Sequence, residues 1–199
     1  MDNSPEELRE ELRRARARIA ELEQLANVDA LVPLGNRRAL KQAFDRITAD
    51  SQNSPIFASL ALIDLVGLKE VNERLGYAEG DKLLVCFAQC LHRVFMVPPL
   101  GAPTLVVRLG GDEFVVLAVE ANASETEKRL TRLSDQLSLS GFSAGEGIGC
   151  NSYTAAVVEV DPVETLESLI ARADRILTFR KRTRRAGLSL GPRRELEID

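Results

Sequence analysis

From Leu8 onward, apolar residues recur at Leu8, Leu12, Ala15, Ile19, Leu22 and Ala26, in alternating steps of four and three, with Glu and Arg filling most of the gaps. That spacing is a heptad seam, with Leu12, Ile19 and Ala26 at a and Leu8, Ala15 and Leu22 at d. Ser4-Pro5-Glu6-Glu7 supplies an N-cap, a proline at the first helical position and early acids, all of which favour starting a helix there. So narrow a stripe would cover little of a globular core, and Ile at a with Leu at d suits a parallel two-stranded coil. Residues 1–28 are therefore expected to form a coiled-coil dimerisation helix, and residues 29–199 a single further domain.

Pro33 and Gly35 break the pattern, and Asn36 to Ala49 then reads as a helix with Leu40, Phe44 and Ile47 on one face and Asn36 as its cap. Ile56 to Ile63 is nearly all apolar, as in a central strand covered on both faces, and ends at Asp64. Leu68 to Leu75 predicts an amphipathic helix stopped by Gly76, and a second helix is expected from Asp81 to Val94. Two β-branched runs around Gly110-Gly111 (Leu105 to Val119) predict a hairpin with a tight turn. A helix from about Ser124 to Leu137 follows, with Ser124-Glu125-Thr126-Glu127 resembling a capping box.

The Gly- and Ser-rich stretch from Ser138 to Ser152 contains Gly145-Glu-Gly147-Ile-Gly149. It reads as a flexible loop, since the glycines lack the spacing, preceding strand and following helix of a dinucleotide loop. Tyr153 to Val160 predicts a strand, Pro162 to about Arg185 a helix with a basic end, and the tail from Gly187 a short edge strand. The order α-βααββαβα describes an α+β fold: a ferredoxin-like mixed sheet with helices packed across it, preceded by the coiled-coil helix.

Composition narrows the chemistry. A net charge of −4 leaves no basic excess for a nucleic-acid backbone, so no nucleic-acid partner is expected. Three cysteines, two of them at i and i+4 in a helical pattern, suit buried thiols of a reducing cytoplasm, and one histidine argues against a His-centred triad or a multi-histidine zinc site. No apolar run approaches bilayer length, so no membrane insertion is expected. The chain is then either a small stand-alone protein or an output piece of a longer one.

The hairpin turn carries the chemistry. Asp112 and Glu113 follow a backbone bare of side chains, and Asp64 ends a neighbouring strand. Carboxylates brought this close would repel, which makes sense if a cation lies between them, and an all-oxygen set without His or Cys suits Mg2+. Magnesium in turn suggests a phosphate ligand.

Arg108-Leu-Gly110-Gly111-Asp112-Glu113-Phe114 resembles the signature of the GGDEF domain, the diguanylate cyclase family. Asp29-Ala-Leu31-Val-Pro-Leu34-Gly-Asn36-Arg37-Arg38 is similar to the segment joining that family's coiled-coil stalk to its catalytic domain. Asp64 to Asp81, through Lys69, Asn72, Gly76 and Gly80, resembles the substrate-binding stretch, and Arg172-Ala173-Asp174 with Lys181 and Arg185 the final helix. The likeness covers about residues 29 to 185, in four ordered motifs.

The resemblance implies a nucleotide-cyclase-like version of that sheet and condensation of two GTP into cyclic di-GMP with release of two pyrophosphates, in a homodimer joined by the parallel coil. It implies Asp64, the Leu65 carbonyl, Asp112 and Glu113 as ligands of Mg2+, with Mn2+ as a substitute. Asp112 and Glu113 are also the catalytic pair, and Glu113 either completes the metal site or helps deprotonate the 3′-hydroxyl. Asn72 and Asp81 would read guanine, Lys69, Lys181 and Arg185 would neutralise the triphosphate, and Leu68, Gly110 and Gly111 would line the substrate. Val66 stands where the family has a second acid, Leu68 an aromatic, Glu73 an Asp, Tyr77 often a His and Thr178 a Tyr. Gly101 and Thr104 occupy the ends of the family's Arg-x-x-Asp product-inhibition site, so feedback through it is not expected. The alternative is a catalytically silent GGDEF domain that binds GTP and signals through protein contacts.

Overall fold

The computed structural model describes residues 5–50, 57–96, 104–139, 143–144, 148–149 and 152–186. Helix α1 spans Pro5–Ala26 and stands apart from the rest: Leu12 and Ile19 remain 51% and 55% exposed, so the expected seam is unpartnered within one chain. The side chains of Leu8 and Leu22 lie outside the described residues. Asn36 fastens the end of α1 to the domain by donating from Nδ2 to the carbonyls of Ala26 and Val28. Its Oδ1 accepts from the amides of Arg38 and Ala39, capping α2 (Arg37–Asp50) as expected.

Next come β1 (Ala58–Leu65), α3 (Leu68–Leu75), α4 (Tyr77–Phe95), β2 (Thr104–Gly110), β3 (Glu113–Val119) and α5 (Ala123–Leu139). The chain then forms β4 (Ser143–Ala144), β5 (Ile148–Gly149), β6 (Tyr153–Glu159) and α6 (Leu166–Arg185). The four long strands form a sheet in the order β2-β3-β1-β6, the ferredoxin-like arrangement. All of its ladders are antiparallel, so among the described residues parallel pairing is confined to an isolated bridge between Gly35 and Val107 at the β2 edge.

Alternation along the strands divides the core. Ala61, Ile63, Phe114, Val116 and Val157 face α4 and α5, where Phe87 meets Phe114 edge-to-face at 5.0 Å. Leu60, Leu62, Val115, Leu117 and Val158 face α2 and α6, against Leu40, Phe44, Leu169 and Leu177.

Several boundaries depart from the sequence pattern, each for a local reason. β1 runs two residues further than expected, which puts Asp64 inside the ladder rather than beyond it. α4 begins at Tyr77, four residues early, because Gly76, at φ 90°, closes α3 and opens α4 with no intervening loop. The capping box of α5 lies at Asn122 and Glu125: Oδ1 of Asn122 accepts from the Glu125 amide while Oε2 of Glu125 accepts from the Asn122 amide. α6 starts at Leu166 rather than Pro162, where Thr165 Oγ1 accepts from the Ser168 amide.

The expected loop from Ser138 to Ser152 contains a two-residue ladder, β4 with β5, so a short strand does precede Gly145. Two pairs are too short a run for hydrophobic alternation to register. The tail from Gly187 lies outside the described residues, as do Gly101 and Cys150. Cys86 and Cys90 are free thiols, and burial pushes the Cys90 thiol up. No helix among the described residues is long and apolar enough to cross a membrane.

Candidate active site

Strand register lines up the acidic end of the sheet. Asp64 on β1 is opposite Glu113 on β3 and opposite Thr154 on β6, and register partners project from the same face. Alternation from Leu60 and Leu62 puts that row on the α6 side. There Nζ of Lys181 donates to Oδ2 of Asp64 at 2.6 Å, with the carboxylate only 14% exposed. Thr154 Oγ1 is buried in the same row and has no protein partner.

The hairpin turn holds Glu113 in place. Gly110 pairs with Glu113 after a register shift at Arg108, and Gly111 and Asp112 make the turn. Gly110 and Gly111 lie at φ 145° and 55°, and a Cβ on either would meet nothing within 4 Å. Glycine is thus needed here for its backbone conformation, and the space beside it stays open. The Leu65 amide donates to the Asp112 carbonyl at 2.9 Å, tying the turn to the end of β1.

Arg108 and Asp29 brace the turn from behind, a connection across 79 residues that spacing could not reveal. Nε and Nη2 of Arg108 donate to the Gly111 carbonyl at 3.0 and 2.9 Å, and Nη1 lies 3.3 Å from Oδ1 of Asp29. The same Oδ1 accepts from the amides of Leu31 and Val32. Burial opposes ionisation of Asp29, but those amides and the guanidinium prevail and hold its carboxyl below the ordinary value.

Gly80 brings Asn72 against α4. A Cβ at Gly80 would fall 1.9 Å from Asn72 Oδ1, so the Asn72 amide rests directly on the α4 backbone, one residue from Asp81. This requirement for glycine was invisible in sequence, where Gly80 reads as part of a loop. Leu68 is buried in the core, leaving only its backbone at the start of α3 for a ligand. Lys69 is exposed and 3.6 Å from Glu73, and Arg185 is exposed at the end of α6.

The donors near Asp64 fit a hard divalent cation in kind, being carboxylate, carbonyl and hydroxyl oxygens, with an orphaned buried hydroxyl among them. They are not drawn into a ligand cage: among the described residues no group of three or more His, Cys, Asp or Glu is close enough to hold an ion. Lys181 neutralises Asp64. A cleft of about 560 Å³ at the far end of β6 is lined by Glu159, Asp161, Glu164 and Arg172. Its cation is engaged internally, Arg172 NH2 bonding Glu164 Oε2 at 2.8 Å and the Glu159 carbonyl at 2.6 Å.

Residues 26–187 match the family model described as Diguanylate cyclase, GGDEF domain, and the chain belongs to that family. It is 36% identical over 157 residues to an uncharacterized protein of Mycobacterium tuberculosis, covering 78% of this chain and 24% of that protein. It is 31% identical over 166 residues to the diguanylate cyclase DosC of Escherichia coli, covering 82% of this chain and 35% of DosC. The chain thus spans about a quarter to a third of these relatives. The crystal structure of the coiled coil and GGDEF domain of DgcB from Caulobacter crescentus, in complex with c-di-GMP, superposes with a TM-score of 0.72 at 24% identity. That alignment covers 92% of this chain and 93% of that one, and establishes the shared fold.

Proposed function

We propose that this chain is a diguanylate cyclase, joining two GTP into cyclic di-GMP in a homodimer held by α1. The observation that carries this reading is the pairing of Asp64 with Glu113 across β1 and β3, beside a Gly-Gly turn with open space above it. Asp64, the Leu65 carbonyl, Asp112 and Glu113 would hold Mg2+ or Mn2+, which when bound stabilises charge on the phosphates and lowers the pKa of the attacking hydroxyl.

The chain's own groups do the rest. Asn72 and Asp81 accept and donate at the guanine edge, where a carboxylate matches the N1–H and 2-amino donors that adenine lacks. The first-turn amides of α3 face the phosphates, with Lys69, Lys181 and Arg185 as cations. Each 3′-hydroxyl oxygen attacks the α-phosphorus of the nucleotide on the partner, the bond to the bridging oxygen breaks, and pyrophosphate leaves. The hydroxyl proton passes to Glu113 or to solvent. Each subunit supplies one GTP, so α1 serves by raising the local concentration of one domain near the other. Gly101 and Thr104 stand where the family's product site has an arginine and an aspartate, so cyclic di-GMP does not inhibit through that segment.

The alternative, a silent domain that binds GTP without turnover, draws on the Lys181–Asp64 ion pair, which already satisfies the carboxylate. Incubation of the purified chain with GTP and Mg2+, followed by mass spectrometry, tests the proposal. Cyclic di-GMP is expected, and Glu113→Gln should abolish it with the fold retained. GTP binding with no product would establish the silent reading instead.

A further inference from the structure

Tyr77 is 80% exposed, the most exposed aromatic among the described residues. Phe87 and Phe114 are fully buried, and Tyr153, the only other tyrosine, bonds through its hydroxyl to the Leu130 carbonyl and to Ser134 at 3.1 Å. A ring left in water at the first position of α4 serves no packing role. Its neighbours give it another. Tyr77, Gly80 and Asp81 are spaced i, i+3 and i+4, which puts them on one face of the helix. Gly80 is the residue on which the Asn72 amide rests, at a separation no side chain would permit. Tyr77 and Asp81 therefore share the helix face beside the glycine on which the Asn72 amide rests.

Resting on the proposed guanine-reading role of Asn72 and Asp81, we infer that Tyr77 is the stacking platform for that base. Asn72 and Asp81 discriminate by hydrogen bonding at the base edge, whereas an aromatic plane grips any base through its face. The two functions separate cleanly: affinity comes from the ring and selectivity from the edge. Tyr77 is thus a positioning residue for the nucleotide, present equally in the ground and transition states, and its loss should raise KM rather than lower kcat. The hydroxyl is not needed, so Tyr77→Phe should behave as wild type, while Tyr77→Ala should weaken GTP binding about tenfold, within the range for base–aromatic stacking.

The composition provides a direct probe, since the chain has two tyrosines and no tryptophan. The chain labelled with 3-fluorotyrosine should give two fluorine resonances, the one absent from Tyr77→Phe belonging to Tyr77. Guanosine 5′-[α,β-methylene]triphosphate, which cannot be cleaved at the α–β bridge, is titrated in while calorimetry follows binding. The Tyr77 line should shift on saturation, the Tyr153 line should stay, and Tyr77→Ala should raise the Kd about tenfold. Binding with an unmoved Tyr77 line, or an unchanged Kd in Tyr77→Ala, would overturn the stacking role and leave the edge-reading role standing. Absence of calorimetric binding to the wild type would overturn both, and Asn72→Ala with unaltered preference for guanine over adenine would overturn the edge-reading role alone.

Discussion

Nζ of Lys181, on the last helix, lies 2.6 Å from Oδ2 of Asp64, on the central strand, across 117 residues of sequence. With Glu113 opposite Asp64 in the ladder, the ammonium balances charge at the end of the sheet where the metal is proposed to bind. A divalent cation bound there would compete with the lysine for one carboxylate, and a triphosphate would offer the lysine another partner.

Lys181→Met should tighten Mn2+ binding in the absence of nucleotide by several-fold and weaken GTP binding by about tenfold, the value of one charge-assisted contact of roughly 1.4 kcal/mol. Titration of free Mn2+ by electron paramagnetic resonance measures the first, and calorimetry the second. Weaker Mn2+ binding in the variant would mean the ion pair only maintains the structure around Asp64.

Gly80→Ala should displace Asn72, because the new methyl would sit 1.9 Å from its Oδ1. Alanine gains about 1 kcal/mol of helix propensity, and overpacking costs about 1–3 kcal/mol, so stability should change little or fall modestly. The KM for GTP should rise at least tenfold, as expected when a hydrogen-bonding partner of the base is misplaced. Thermal unfolding and steady-state kinetics on the same preparation separate the two effects.

Asp29→Ala removes the bonds to the Leu31 and Val32 amides and to Arg108, and should cost about 2 kcal/mol at pH 7. Because the native carboxyl sits below its ordinary value of 3.8, its contribution is fully present above that value. It is lost as the pH falls through the depressed native value. Urea unfolding from pH 7 down to pH 3 should show wild type and variant converging at the acid end. A gap that widens toward acid would contradict the assigned direction.

Leu12 and Ile19 are exposed on α1, so Leu12→Glu with Ile19→Glu should leave the domain folded. Sedimentation should report a monomer, and activity per chain should fall more than tenfold and become dependent on concentration, as loss of tethering predicts. Unchanged oligomeric state would remove α1 as the dimerisation element.

The sequence pattern exposed what periodicity and turn chemistry govern: the order of strands and helices, the Asn36 cap, the Leu68–Leu75 helix to the residue, and the Gly-Gly hairpin. It exposed the carboxylates, since acids beside glycines have no packing role. What it could not expose are relationships created by the fold. The Arg108 link to Asp29 and the Lys181 link to Asp64 join residues far apart in the chain, and a composition-based reading assigns each basic residue to solvent or ligand. Gly80 was hidden differently: a glycine at the start of a helix looks like loop until the neighbouring amide is seen lying on it. Ser124 offers the same capping chemistry two residues after Asn122, and only the observed start of α5 decides between them.

Gly76 alone joins α3 to α4, closing one helix and opening the next. Inserting one residue into the first turn of α4 would turn Asp81 by about 100° around the helix axis relative to Gly76 and advance it about 1.5 Å. Asp81 would then leave the flank of Asn72. The distance in sequence between the two residues is thus mechanically locked, like the pitch between two teeth of a gear, and length variation in this part of the protein has to fall outside positions 72 to 81.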